Sequence, residues 1–362
     1  MKRLAISLFF LVLPVLAQMP PMPPGVPGQG MPAPAPPGGM GAPMPQGQGG
    51  GLPLPRLPQS YPLPQWIRPG LVMIYRDIGG MITKAYLVTD VTATDAYGLE
   101  ITLMHFPDGS TVIQRQVVPF VQNGAGYFYV NPQAAAEYLK AAPQAAQTGV
   151  KITGGPGILA IEEQGQGGKS GFALRFDPNS GVVQQITAMV KTQKGSTAAD
   201  FRYQGYDFSP MPSLPDFPPA AREAHSYRLS TAVPGFGGSP GMTMPTGEIK
   251  IVPAGVFGRL ARYQITAVAQ GYPFQRPGFG VPAGGPHYLH PALLRQGVVY
   301  RIAKLSLTVQ AAGSGPHGGV VVQTLLGQVP LAAQEYHPQS GLLLYAEESY
   351  GSLGQMITEL EQ

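Results

Sequence analysis

The chain contains no cysteine. That excludes a disulfide framework, a thiolate metal site, a cysteine nucleophile and a lipid-modified cysteine at an export cleavage site. Charge is scarce as well. Asp, Glu, Lys and Arg make up 12% of the residues, against about a quarter in ordinary soluble domains. Gln, Ser, Thr, Gly and Pro must therefore cover most of the surface, which protects poorly against self-association. The net charge of +4 falls to +2 without Lys2 and Arg3 (4 − 2), and no basic run follows them. This is too little positive charge for a nucleic-acid footprint, so no nucleic-acid partner is expected. Long apolar runs are missing too. Leu4 to Leu16, broken by Ser7 and Pro14, is shorter than the about 20 residues a bilayer-crossing helix needs.

Catalytic motifs are equally thin. Gly167-Gly168-Lys169-Ser170 resembles the end of a phosphate-binding loop, but Glu163 stands where the motif needs its first glycine. No Gly-x-Ser-x-Gly elbow occurs. Glu162 and Glu163 are neighbours on a predicted strand, so they point to opposite faces and cannot flank one sugar bond. Ser340 and His337 are close in sequence, but their Pro-x-Ser-Gly context reads as a hairpin turn. The weak metal candidates are His287 and His290, three residues apart, with Pro291 pushing His290 towards extended backbone. Met19, Met22, Met31, Met40 and Met44, with Met242 and Met244, offer thioethers suited to copper(I), yet their irregular spacing reads better as flexible filler. No catalytic residue and no cofactor is expected.

What the sequence does contain is a leader, a biased segment and a repeat. Lys2 and Arg3, the apolar run and Val15-Leu16-Ala17 have the form of a secretory signal over residues 1–17, with the mature chain starting at Gln18. In residues 18–64, Pro and Gly supply 26 of 47 residues and Arg56 is the only charge. Such a stretch has too few large apolar groups to offset the entropy of ordering, and it is expected to be a disordered spacer.

The repeat is the strongest signal. Tyr129-Val130-Asn131-Pro132 returns as Tyr288-Leu289-His290-Pro291, 159 residues later (288 − 129). Phe176-Asp177-Pro178-Asn179-Ser180-Gly181 returns as Tyr336-His337-Pro338-Gln339-Ser340-Gly341, 160 residues later (336 − 176). A weaker echo links Leu99-Glu100-Ile101-Thr102 to Tyr263-Gln264-Ile265-Thr266. Ordered motifs at a nearly constant offset indicate a duplicated unit. Repeat 1 is expected over residues 65–207 and repeat 2 over 222–362, with the Pro-rich stretch 208–221 as linker.

Both repeats read as β. Leu99, Ile101 and Leu103 alternate with Glu100, Thr102 and Met104; a Pro107-Asp108-Gly109-Ser110 turn leads into Thr111–Val118. Phe172, Leu174 and Phe176 share a face, as do Ile186, Ala188 and Val190, and Leu305, Leu307 and Val309. Such alternation predicts antiparallel sheets with one wet face. Asn131 is placed to cap a helix from Pro132 that Pro143 stops; His290-Pro291 starts a second, ending by Gly297. The expected fold is mainly β: two tandem antiparallel repeats, sandwich or half-open barrel, each with one short helix, behind a disordered tail.

The expected role is a non-catalytic binding or structural protein of the cell envelope, periplasmic or extracellular, whose partner is an envelope component or an apolar small molecule. No integral span is expected after signal cleavage. Two alternatives are a carrier of an apolar, lipid-type ligand, marked by a cavity of several hundred cubic ångströms with aliphatic walls, and an envelope hydrolase. Phe274, Phe279 and Tyr288 are candidate surface contacts, the first two in an apparent Gly/Pro loop.

Overall fold

The computed structural model describes residues 54–147, 149–165, 168–192, 195–233, 242–269, 272–350 and 354–361. The leader, most of the Pro/Gly-rich segment and the tail methionines lie outside the described residues. Two ten-stranded antiparallel sheets account for the fold.

The first sheet comprises β1 (Leu71–Asp77), β2 (Ile82–Val91), β3 (Ala96–His105), β4 (Thr111–Gln122), β5 (Ala125–Gly126), β6 (Val150–Gly155), β7 (Ile158–Gly165), β8 (Gly168–Phe176), β9 (Val183–Thr192) and β10 (Gly195–Phe208). Its order is β5-β4-β3-β2-β1-β10-β9-β8-β7-β6. The first and last strands pair at the centre, so the meander is open only between β5 and β6. Helix α1 (Pro132–Ala146) occupies that gap in the chain.

The second sheet comprises β11 (His225–Val233), β12 (Met242–Phe257), β13 (Leu260–Ala269), β14 (Tyr272–Gly280), β15 (Val298–Ile302), β16 (Leu307–Ser314), β17 (Val320–Leu326), β18 (Val329–Tyr336), β19 (Leu343–Ser349) and β20 (Gln355–Leu360), with the one-turn helix α2 (Pro291–Leu294) between β14 and β15. The order β14-β13-β12-β11-β20-β19-β18-β17-β16-β15 again pairs first and last strands at the centre.

The two stronger repeat motifs lie at equivalent places and make the same hydrogen bonds; the weaker echo is out of step by one residue, because matching Tyr75 to Tyr227 sets Thr102 against Ala267 and turns Leu99 and Ile101 to the opposite face from Tyr263 and Ile265. Val130 N–H donates to Gly181 O at 2.8 Å, as Leu289 N–H does to Gly341 O at 2.9 Å. Val183 N–H donates to Phe128 O at 3.0 Å, as Leu343 N–H does to His287 O at 2.9 Å. Tyr75 donates its hydroxyl to Val183 O at 2.8 Å, and Tyr227 donates to Leu343 O at 3.2 Å. Gly181 and Gly341 turn at φ 74° and 73°, and a Cβ on either would collide with the carbonyl of Val130 or Leu289. Glycine is required there because the turn packs directly on the segment that leads into the helix.

The sheets meet back to front. One continuous core joins Val72, Ile74, Ala85, Leu87, Ile101, Leu103 and Ile113 of the first to Tyr227, Ile251, Ile265, Phe279, Val309, Val322 and Leu343 of the second. Tyr75 and Tyr227 are equivalent, yet only Tyr227 belongs to this shared core. The back of sheet 1 therefore seats on the front of sheet 2. This corrects the expectation of one wet face for sheet 1. Leu71–Tyr75 is buried at every position, and Glu100 and Thr102 on β3 are buried as well. Sheet 2 keeps the alternation: on β13, Ala261, Tyr263 and Ile265 are buried while Arg262 and Gln264 are exposed.

Other boundaries shift for physical reasons. Tyr61 is buried and Leu63 N–H donates to Ala93 O at 2.9 Å, so the folded body begins before residue 65. Helix α1 runs past Pro143 to Ala146, because a proline in the last turn forfeits only one helical hydrogen bond. Helix α2 stops at Leu294, short of Gly297. Leu305 lies in a 3-10 turn before Ser306, which has φ 53°, and β16 starts at Leu307. The segment of Pro273, Phe274, Pro277 and Phe279 is strand β14 rather than a loop. As the edge strand it loses few ladder bonds to its prolines. The connector between repeats is packed: Leu214, Ala220 and Ala221 are in the core, and Arg259 holds Leu214 O, Pro215 O and the Asp90 carboxylate together. Among the described residues no helix is long and apolar enough to cross a membrane.

Candidate functional site: a cleft between the two sheets

Sheet 1 does not fill the front of sheet 2 completely. A cavity of about 410 Å³ remains between them. Its walls mix aliphatic and polar groups in about equal measure: Leu87, Leu99 and Val117 from sheet 1 and Ile265, Val281, Leu293, Val299, Val309 and Val322 from the second repeat stand beside charged, amide and tyrosine side chains. Strand β4 borders the cavity. Both of its faces contribute, Arg115 and Val117 from one, Gln116 and Val118 from the other, so the cavity wraps around the strand. This is open to it because β5 is two residues long and pairs only with Val121 and Gln122, leaving the rest of that edge free.

Four charged side chains line the cavity: Glu100, Arg115, Arg276 and Glu348. Glu100 is balanced from its own sheet by an ion pair with Lys84 and a hydrogen bond from Gln116 Nε2 at 3.1 Å. Arg115 crosses from sheet 1 into the second repeat. Its Nη1 donates to Thr324 Oγ1 at 3.0 Å, and its Nη2 lies 3.6 Å from Glu348 Oε1, an ion pair beyond hydrogen-bond reach. Burial works against the Arg115 charge, but Tyr300, Glu348 and Tyr336 around it more than compensate, and its pKa lies above the ordinary value. Arg276, on the edge strand, is largely exposed yet crowded enough that desolvation lowers its pKa; none of the described ion pairs includes it.

Three residues that line the cavity carry a buried polar atom without a well-formed hydrogen bond among the described residues: Thr89 through Oγ1, and Arg115 and Tyr300, which lie together, through Nη2 and Oη. A hydrogen bond between Arg115 and Tyr300 contributes to the titration of both, raising the pKa of Arg115 and opposing the rise of Tyr300, but it falls short of a well-formed bond. Buried polar groups are nearly always paired, so Arg115 and Tyr300, adjacent and both able to donate, mark a place where an acceptor fits.

The metal candidates are not brought together by the fold. His290 caps α2, its Nδ1 accepting from Ala292 N–H at 3.1 Å. That is the role of Asn131, whose Oδ1 accepts from Gln133 N–H at 2.9 Å and Ala134 N–H at 3.3 Å. His287 is 0% exposed and takes the place of Phe128 in the core. Its Nε2 bonds to Ala220 O at 2.9 Å, and its ring packs on Tyr263, Tyr288 and His225. Desolvation holds its pKa at about 4. Among the described residues no group of three or more His, Asp or Glu is placed to hold a metal.

The surface-contact expectation is corrected for two residues. Phe279 is 6% exposed and Tyr288 1%, and both line the cavity wall. The Tyr288 ring lies against Gly280 and Gly285, where any Cβ would strike it, and its hydroxyl donates to Val281 O at 2.9 Å. The Phe274 side chain lies outside the described residues. Ser340 Oγ is 3.1 Å from His337 Nδ1, but in repeat 1 Ser180 Oγ bonds Asp177 Oδ2 at 2.9 Å in the same turn. The pair caps a hairpin in both repeats. Lys169 and Ser170 are ordinary β8 residues paired with β9.

Sequence reasoning missed Arg115. Its signal was available: on Thr111–Val118 it shares a face with Ile113 and Val117, a cation on an apolar side. No protein-family model matches the chain, and a search of curated proteins finds no relative.

Proposed function

We propose that the chain is an exported binding protein that holds a molecule with an apolar body and a polar head in the cleft between its two repeats. The observation that carries this reading is the cavity of about 410 Å³, where aliphatic and polar walls meet, with the buried Arg115 and Tyr300 groups that lack a well-formed hydrogen bond beside it. That volume lies within the range of small-molecule sites, and a wall of both characters suits a molecule with an apolar body and a polar head. The reading is one of binding, not turnover, since the nearest thing to a Ser–His pair is a turn cap. Export rests on the signal-like residues 1–17, and an envelope setting follows from it.

The test is extraction. Protein purified without detergent is denatured, and its bound small molecules are identified by mass spectrometry. The stripped protein is then titrated with the fluorescent apolar probe N-phenylnaphthylamine. Saturable binding that weakens in Val309→Phe, which fills the cavity, supports the reading. Absence of both a co-purified molecule and saturable probe binding refutes it.

A further inference from the structure

Resting on that reading, we infer that the ligand is a single-chain amphiphile with an anionic head, and that the head is held by Arg115 and Tyr300 in competition with Glu348. Arg115 Nη2 and Tyr300 Oη are both buried and neither makes a well-formed hydrogen bond, their contact with each other being a weak one. A head that only donates gives the Arg115 N–H no acceptor; one that accepts through two oxygens can take a hydrogen bond from each. A guanidinium presents its N–H groups in a planar fork that matches a carboxylate or phosphate.

The charge count points the same way. Glu100 is neutralised by Lys84 and Glu348 is opposed by Arg115, which leaves Arg276 without a counter-charge among the described ion pairs. One negative charge brought into the cavity balances it. Glu348 stands 3.6 Å from Arg115, too far for a hydrogen bond, and its side chain is 31% exposed. It is a loose counter-ion, able to turn to solvent when a better-placed anion arrives. Tyr300 and Arg115 come from different repeats, so the head site exists only when the back of sheet 1 is seated on the front of sheet 2. The cavity, near the lower end of the range for ligand sites, suits one chain rather than two.

The test compares laurate with lauryl alcohol, which share a chain and differ in the head, by displacement of N-phenylnaphthylamine from the full chain. Laurate should bind about tenfold more tightly, the effect of a hydrogen bond to a charged group. Arg115→Met should abolish that preference while leaving the alcohol unchanged, and Tyr300→Phe should reduce it by roughly threefold. Glu348→Gln should strengthen laurate by a few-fold, because the competing anion is gone. Thermal unfolding checks that each variant folds; if Arg115→Met does not, Tyr300→Phe and Glu348→Gln carry the test. Equal binding of the two probes, or unchanged preference in the variants, overturns the head-group assignment while the cavity reading stands. If neither probe binds wild type, the cavity reading itself falls. Cetyl phosphate in place of laurate separates the anion types: displacement at either head supports an anionic site, and displacement by the alcohol alone overturns it.

Discussion

Replacing His287 by Phe should remove an acid sensitivity built into the second repeat. Phe128, its equivalent, fills the same place in repeat 1, so the apolar ring has a precedent in this chain. His287 is fully buried, against His225, Tyr263 and Tyr288, with only the Ala220 carbonyl as partner for Nε2. Desolvation lowers its pKa from 6.5 to about 4, and the neighbouring His225 pushes the same way, against the hydrogen bond to Ala220. The unfolded chain therefore takes up a proton between pH 6.5 and about 4 that the folded chain refuses. Stability from the neutral imidazole is complete above 6.5 and is lost as pH falls towards 4. The loss is 2.5 pKa units (6.5 − 4), or about 3 kcal/mol at 1.36 kcal/mol per unit. Full burial means that solvent screening does not reduce it. At neutral pH the substitution should be near neutral: it removes the unpartnered Nδ1 but leaves Ala220 O without its donor, an exchange on the order of 1 kcal/mol. Urea unfolding of both chains from neutral pH to about pH 4 measures the difference. Carboxylates elsewhere titrate equally in both and cancel. His225 has a pKa lowered by burial, with Glu223 opposing, and it remains in both. The stability of His287→Phe relative to wild type should rise by about 3 kcal/mol across this window. A pH-independent difference would refute the argument that His287 is a desolvated core residue.

Three further substitutions test the packing that positions the cleft. Lys84→Met leaves the buried Glu100 carboxylate without its cation and should cost about 3 kcal/mol, whereas Lys84→Met with Glu100→Gln should recover most of it; chemical denaturation of both distinguishes a charge effect from lost volume. Arg259→Ala releases Asp90, Leu214 O and Pro215 O together and should cost about 2 kcal/mol, with proteolysis in 208–221 accelerating, and Lys should not rescue it because it lacks the fork. Asn131→Ala should lower stability by about 1 kcal/mol through loss of the α1 cap, read as a shift in the denaturation midpoint.

The duplication was legible because its motifs are built from residues that backbone geometry demands. Gly181 and Gly341 hold left-handed turns, Pro132 and Pro291 open helices, and Asn131 and His290 cap them. Each is a local requirement written in a few adjacent residues. The sheet order also follows from local hairpins such as Pro107–Ser110. What was not legible depends on contacts far apart in sequence. That β1 to β3 of sheet 1 are buried on both faces follows from the docking of one repeat on the other, and alternation alone made Glu100 and Thr102 look wet. Tyr288 and Phe279 seemed exposed because Gly and Pro surround them, yet those glycines are what allow the Tyr288 ring to lie flat against backbone. Reading the 159-residue offset one position earlier would have aligned His287 with Phe128, and so placed that histidine in a core rather than at a metal.

The two copies have diverged in how the front of each sheet is packed. In repeat 1, Tyr86 packs against Tyr75, Phe120, Tyr127 and Phe128 at ring separations of 5.3–6.4 Å, and Tyr127 extends the cluster to Phe172. In repeat 2 the offset replaces Tyr127 by Pro286 and Phe128 by His287, smaller groups in each case. The fifteen-residue α1 gives way to the four-residue α2 followed by the extra strand β15. Volume removed from the front of the second sheet would collapse or expose apolar surface unless something covered it, since an empty cavity loses contact energy in proportion to its size. The back of sheet 1 supplies the cover, its apolar residues joining the core of the second repeat. Stacking copies back to front thus converts a spare face of one repeat into the lid of the other. It also puts Arg115, an outward residue in its own repeat, over the hollow of the next, which neither copy alone could arrange.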